Sequence, residues 1–213
     1  MSDNGAMVNP RHGLEAFLAV RRSNQAISQK IEAGAPECND IINVEILHDR
    51  SHLNLRGNPD EVKFLTQSSK ILGQELPLVP NTMTVGEHHI YWLGPNEWLV
   101  LSADTRTRKF SSELRDALKE LHTSVVDLSG GQIALNIDGP EVRRLLAKGC
   151  TLDFHTHQFR PLDCAQSGLA KAVALFGRVD EANGFELVVR RSFQEYLLMW
   201  LVHSGREFGV KIQ

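Results

Sequence analysis

The chain has 213 residues, 42% hydrophobic and 23% charged, which is enough apolar material to bury a core without metal or disulfide staples. A net charge of −3 and a pI of about 6.3 exclude the basic field that a nucleic-acid or anionic-membrane surface requires. The three cysteines, Cys38, Cys150 and Cys164, are an odd and low count that favours a reducing compartment. The opening MSDNGAMVNPRHG lacks a basic-then-apolar export pattern, and the apolar runs fall short of the roughly 20 residues that span a bilayer, so a soluble cytoplasmic protein is expected.

Residues 1–38 read as an N-terminal arm and linker, with an apolar stripe through Leu14, Phe17, Leu18 and Ile27 and breaks at Gly34 and Pro36. From about Asn39 the pattern becomes regular. Ile42, Val44 and Ile46 alternate with polar neighbours as in a half-buried strand, and Ser51–Arg56 forms a second strand after a turn at Asp49-Arg50. A helix follows, with Asn58 as N-cap, Pro59 at its first position and Glu61 placed for a capping box. Val62, Leu65 and Ile71 form its inward face, and Gly73 ends it. Strands are expected near Met83–Val85, His89–Leu93 and Trp98–Ser102, the last two joined in a hairpin at Gly94-Pro95-Asn96-Glu97. Phe110, Leu114, Ala117, Leu118 and Leu121 then mark an amphipathic helix.

The order repeats. Ser124–Leu128 and Gln132–Ile137 read as strands joined by a hairpin turn at Gly130-Gly131. Gly139-Pro140 opens a helix with Val142, Leu145 and Leu146 inward and Gly149 as its stop. Strands near Ala165–Gly168, Ala172–Val179 and Phe185–Val189 come next. Ser192 and Glu195 form a second capping box before a helix facing inward through Phe193, Tyr196, Leu197, Trp200 and Leu201. Residues 206–213 read as a frayed tail. LNIDGPEVRRLLAKGCTLDF, from Leu135, is thus a second copy of LNLRGNPDEVKFLTQSSKILG, from Leu53. The copies lie about 80 residues apart, beyond the roughly 20–50 residue period of solenoids. The expectation is one α+β domain over 39–205, built from antiparallel strand–strand–helix–strand–strand–strand–helix units at about 39–122 and 123–205.

Chemistry-bearing residues are scattered. Cys150, His155, His157 and Cys164 hold the right atoms for tetrahedral zinc, but at spacings that match no knuckle, so buried thiols and surface histidines are expected instead. His88 and His89 point to opposite strand faces, with one of them exposed. Asp127 and Asp138 read as turn-closing residues rather than a catalytic pair. Asp127-Leu128-Ser129-Gly130 is no nucleophile elbow, and no glycine-rich phosphate loop is present. Arg143, Arg144 and Lys148, and separately Arg190-Arg191, are basic spots of the kind that solvate or salt-bridge a face. Trp92, Trp98 and Trp200 read as core, one of them at an interface. No catalytic, cofactor-binding or metal-binding residue is assigned.

DLSGGQIALNIDGPEVRRLLAKGCTLDFH, CAQSGLAKA and RSFQEYLLMWL, with NLRGNPDE and GPNEWLVLSAD earlier, resemble the gamma subunit of heterotetrameric sarcosine oxidase from about Asn39 to Val202. That family is similar in fold to the folate-binding domain of the glycine-cleavage T-protein. The resemblance implies a non-catalytic accessory chain partnered by alpha, beta and delta subunits. Their complex oxidatively demethylates sarcosine to glycine and passes the one-carbon unit to tetrahydrofolate. It places FAD, FMN, NAD, zinc and tetrahydrofolate on the other subunits. T-protein-like enzymes carry an Asp-containing strand facing the folate, whereas TMTVGEHHIYWLGPNEWLV offers only Glu87 and Glu97, both expected in turns. Lys148-Gly149-Cys150 begins like the signature of folate-dependent iron–sulfur assembly factors but continues differently. The alternative is a stand-alone folate-binding or aminomethyltransferase-like protein, which would need an open cavity between the halves and a carboxylate lining it.

Overall fold

The alternation of Ile42, Val44 and Ile46 forms β1 (Ile42–Leu47), with all three isoleucine and valine side chains buried. The computed structural model describes residues 42–48, 50–102, 107–179 and 184–213; the N-terminal arm, its apolar stripe, Cys38 and Asp49 lie outside them. After β1 come β2 (Ser51–Arg56), α1 (Val62–Leu72), β3 (Met83–Val85), β4 (His88–Gly94), β5 (Glu97–Ser102) and α2 (Thr107–Leu118). The order then recurs as β6 (Ser124–Asp127), β7 (Gln132–Asp138), α3 (Val142–Ala147), β8 (Cys164–Leu169), β9 (Ala172–Gly177), β10 (Phe185–Arg190) and α4 (Gln194–Ser204), followed by β11 (Val210–Ile212).

The strands form two sheets, ordered β11-β1-β7-β10-β9-β8 and β3-β4-β5-β2-β6. Each half builds four strands of one sheet and sends its first strand to the other. Thus β1 pairs antiparallel with β7, and β6 pairs antiparallel with β2. The Gly130-Gly131 turn is therefore not a hairpin. It is tight, with the Gly131 and Gln132 amides donating to the Leu128 carbonyl, but it carries the chain from one sheet to the other. A hairpin is blocked because both edges of β7 are occupied by β1 and β10. The expected β4–β5 hairpin is present, with a register shift between Trp92 and Gly94.

Helices cover the outer faces. Ile133, Leu135 and Ile137 of β7 and Phe185 and Leu187 of β10 pack with Val142, Leu145 and Leu146 of α3 and Leu197, Leu198 and Leu201 of α4. On the other sheet, Leu53, Leu55, Ile90, Trp98 and Val100 pack with Phe64 and Leu72 of α1 and Leu114 and Leu118 of α2. The inner faces meet through Met83, Tyr91, Leu99 and Leu101 on one side and Ala134, Leu175 and Val188 on the other. The layers are helix, sheet, sheet, helix.

Several local expectations shift. Asn58 does not cap α1: its Oδ1 accepts the Asp60 amide at 3.0 Å, closing an Asx turn, and the helix starts at Val62. That delay rotates α1, so Phe64, Ser68 and Leu72 face inward and Val62 is exposed. Gly57 makes room for the change, since a Cβ there would meet the Phe64 ring at 2.3 Å. Ser192 lies in a 3-10 turn, Arg191–Phe193, and makes no cap for α4. In α4, Leu198 joins Leu197 and Leu201 in the core, while Phe193, Tyr196 and Trp200 are half-buried. Gly73 ends α1 in the left-handed conformation, as expected (φ 68°). The segment at 206–213 is not a frayed tail, because β11 adds a parallel edge strand to β1, with Ile42 opposite Val210.

Gly149 serves packing more than helix termination. A Cβ on it would sit 2.4 Å from the Trp200 ring. Gly149→Ala is expected to destabilise the protein by about 1–3 kcal/mol, measured by urea unfolding. The same change in a Trp200→Leu background should cost much less; equal costs in both backgrounds would refute the contact.

A candidate functional site between the two sheets

Strand register decides what faces the inter-sheet space. On the six-stranded sheet, Leu47, Ala134, Val188 and Leu175 form one apolar inner row. The row two residues along is Glu45, Asn136, Glu186 and Gly177. An inner face that is apolar in one row turns polar in the next. Here an open cleft of about 660 Å³ forms, lined by Glu45, Arg50, His89, Asn136, Asp138 and Glu186 among others.

Glu186 is the buried wall of the cleft, only 4% exposed. A carboxylate so placed needs strong donors. It has two, both from β4 of the facing sheet: the Tyr91 hydroxyl donates to it, and His89 Nδ1 lies 3.0 and 3.2 Å from its oxygens. Tyr91 reaches this position because it packs on Gly177, where a Cβ would meet the ring at 2.4 Å. Burial first, and the Glu186 charge second, hold the Tyr91 hydroxyl well above its usual range, so it stays a donor. At the mouth of the cleft, Asp138 accepts the Asn43 amide across β1 and β7 at 3.0 Å.

The other candidates disperse. Cys150 packs in the α3–α4 core, whereas Cys164 faces the inter-sheet layer. His155 and His157 sit exposed on the loop, rings 5.2 Å apart. Among the described residues no group of three or more His, Cys, Asp or Glu is placed to hold a metal ion. Burial pushes the Cys164 thiol up to about 12, which leaves it protonated and donating to the Thr82 carbonyl at 3.2 Å. Neither His88 nor His89 is exposed, correcting that expectation: His88 is buried on the helix side and His89 meets Glu186. Asp127 closes a turn by accepting the Ser129 amide and hydroxyl, but Asp138 does not. Glu97 lies within β5, not in a turn, bonded to Asn54 and Arg56.

The basic spots serve the scaffold. Arg143 donates to the Phe154 carbonyl at 2.7 Å, Arg144 pairs with Glu141 at 2.5 Å, and Lys148 holds Glu207 and the Ser204 carbonyl. Arg191 donates to the Gly130 and Ser129 carbonyls, bracing the crossover turn. Trp98 is fully buried, its indole donating to the Pro77 carbonyl at 2.8 Å, and Trp92 and Trp200 are half-buried.

Glu186 carries one signal in the sequence. It is the only acid in FELVVR, a strand otherwise apolar up to its terminal arginine. The carboxylate that enters the inter-sheet space comes from β10 and not from β4 or its neighbouring turns.

The family model for the sarcosine oxidase gamma subunit matches residues 56–207. The chain belongs to that family. A curated member, the sarcosine oxidase subunit gamma of Corynebacterium sp. (strain U-96), is 29% identical over 120 residues. The matched stretch covers 56% of this chain and 57% of that protein, so the chain spans little more than half the length of the curated relative. Among solved structures, a chain of the heterotetrameric sarcosine oxidase from Corynebacterium sp. U-96, in complex with pyrrole 2-carboxylate, superposes with a TM-score of 0.73 at 25% identity. That match covers 80% of this chain and 86% of the other. The glycine cleavage system aminomethyltransferase T from Bartonella henselae shares the fold at a TM-score of 0.57 and 16% identity, covering 80% of this chain and 47% of the other. The α+β architecture is therefore that of the gamma family and of the T-protein. Among the described residues no helix is long and apolar enough to cross a membrane.

His52, on β2, is 1% exposed beside this layer, with Nδ1 3.1 Å from Gln132 Oε1. Burial lowers its pKa from 6.5 to about 4, so the fold favours the neutral ring. The unfolded chain binds this proton first. Stability from His52 is therefore full above pH 6.5 and lost as pH falls toward about 4. The loss is about 3 kcal/mol. Urea unfolding of the wild type and of His52→Gln between neutral pH and pH 4 should show a shallower acid decline in the variant; parallel declines would contradict the assignment.

Proposed function

We propose that this chain is the non-catalytic gamma subunit of a heterotetrameric sarcosine oxidase, held in place by contacts with alpha, beta and delta subunits. In this assignment the complex oxidatively demethylates sarcosine to glycine and passes the one-carbon unit to tetrahydrofolate. FAD, FMN, NAD, zinc and tetrahydrofolate reside on the other chains. The observation that carries it is the superposition on a chain of a heterotetrameric sarcosine oxidase over most of both lengths. The side chains support it. Arg143, Arg144, Lys148 and Arg191 brace the scaffold, and Tyr91 and His89 are committed to Glu186. Val79 and Leu162 are 64% and 44% exposed where β3 meets β8, apolar surface of the kind that a partner covers. Co-expression with the products of neighbouring genes should yield one complex on size exclusion, retaining this chain through a salt wash. Elution of the chain alone as a monomer would overturn the proposal.

A stand-alone folate-binding or aminomethyltransferase-like protein is the alternative, and the cleft with its carboxylates is the feature it called for. Charge weighs against it: Glu45, Asp138 and Glu186 face one Arg50, an unwelcoming lining for the anionic glutamate tail of a folate. Calorimetry of the chain with tetrahydrofolate is expected to show no tight one-to-one binding; such binding would favour the alternative.

A further inference from the structure

The second strand of each half carries the same asparagine in the same local sequence, and the two are treated oppositely. Asn54 donates to Glu97 at 2.9 Å, and Glu97 also pairs with Arg56 at 3.0 Å. Glu97 stands two residues before Leu99, the cross-strand partner of Asn54. In the other half the cross-strand partner of Asn136 is Glu186, and two residues before it stands Gly184. Gly184 has no side chain to meet Asn136, whose Oδ1 lies 3.8 Å from the position a Cβ would take. The charge is also reversed, since Asp138 occupies the position that Arg56 holds in the first half. Where one half satisfies an arginine with its own carboxylate, the other presents an aspartate to an open cleft.

The acids of this cleft are not a requirement of the fold. By register, Glu186 and Glu45 correspond to Leu99 and Val126, which flank Asn54 on its own sheet. The same scaffold therefore accepts apolar groups at both places. Among the described residues, the side chains of Glu45, Arg50 and Asn136 have no hydrogen-bonded or ion-paired partner, yet all three line the cleft. Its volume, about 660 Å³, is that of a small-molecule site.

We propose that this cleft binds a small molecule carrying both a protonated amine and a carboxylate. The amine is held by Asp138, Asn136 and Glu45, the groups whose complement is a cation. The carboxylate is held by Arg50, whose forked guanidinium donors match it. The buried Glu186, fixed by Tyr91 and His89, adds negative potential behind the amine. The site belongs to this chain alone and does not depend on the assembly proposed above.

Ligand-observed NMR and calorimetry on the full chain, free of other subunits, test it with sarcosine, dimethylammonium and acetate as probes. Sarcosine should bind saturably, and each single-charge probe should bind about tenfold or more weakly by comparison. Glu45→Gln and Arg50→Gln remove no hydrogen bond or ion pair among the described residues, so each should weaken sarcosine binding about ten- to a hundredfold while thermal unfolding changes little. Gly184→Lys tethers an ammonium beside Asn136 and Asp138 and should abolish binding. No saturable binding at millimolar concentration would overturn the proposal. So would single-charge probes that bind as tightly as sarcosine, or variants that bind as the wild type does. Co-purification of the complex reads out separately, so either proposal can fail without the other.

Discussion

Strand β1 does not belong to the sheet of the half that encodes it. It lies between β7 and β11, and its counterpart β6 lies against β2. Each exchanged strand covers an edge that would otherwise expose unpaired amides and carbonyls. Neither half completes its sheet alone: each takes a strand from the other. The tight Gly130-Gly131 turn follows from the same constraint, as does Arg191, which clamps the carbonyls of that turn. The pairing also sets the register that places every inner-face side chain.

That register gives the molecule an approximate two-fold arrangement, and its departures from symmetry locate the site. Tyr91 and Gly177 occupy equivalent places in the two sheets, and the ring of one packs on the bare backbone of the other. Leu99 and Glu186 are likewise equivalent, which lets an apolar layer on one side meet a carboxylate on the other. The tyrosine hydroxyl and the His89 ring make the buried carboxylate tolerable, and they tie the two sheets together across a polar row.

Membership of the gamma family and the shared T-protein architecture fit this division of labour. Arginines and lysines on the α3 face support loops and carbonyls, and Phe208 beneath Arg144 and Lys148 receives both cations. Burial holds the Cys164 thiol protonated and favours the neutral His52 ring. Among the described residues, the unengaged side chains of Glu45, Arg50 and Asn136 line the inter-sheet cleft, where Asp138 stands in the place that Arg56 holds in the first half.

Local sequence determined a great deal. The alternation in Ile42–Ile46 and Ile133–Ile137, the helical spacing of Val142, Leu145 and Leu146, the glycine at 73 and the turn at Pro95-Asn96 are all present as the sequence implies, because each rests on contacts within a few residues. The duplication was legible for the same reason. Which strands pair was not, since a glycine turn looks alike whether it closes a hairpin or crosses between layers. The helices that start at Val62 and Gln194 have no side-chain cap and turn Phe64 and Leu198 inward. The cleft was hidden altogether: strand exchange brings Glu45 beside Asn136, the β7–β10 pairing brings Asn136 beside Glu186, and the stacking of the two sheets brings His89 to Glu186. Sequence sets which face of a strand a residue occupies, but only the pairing of distant strands decides what that face meets.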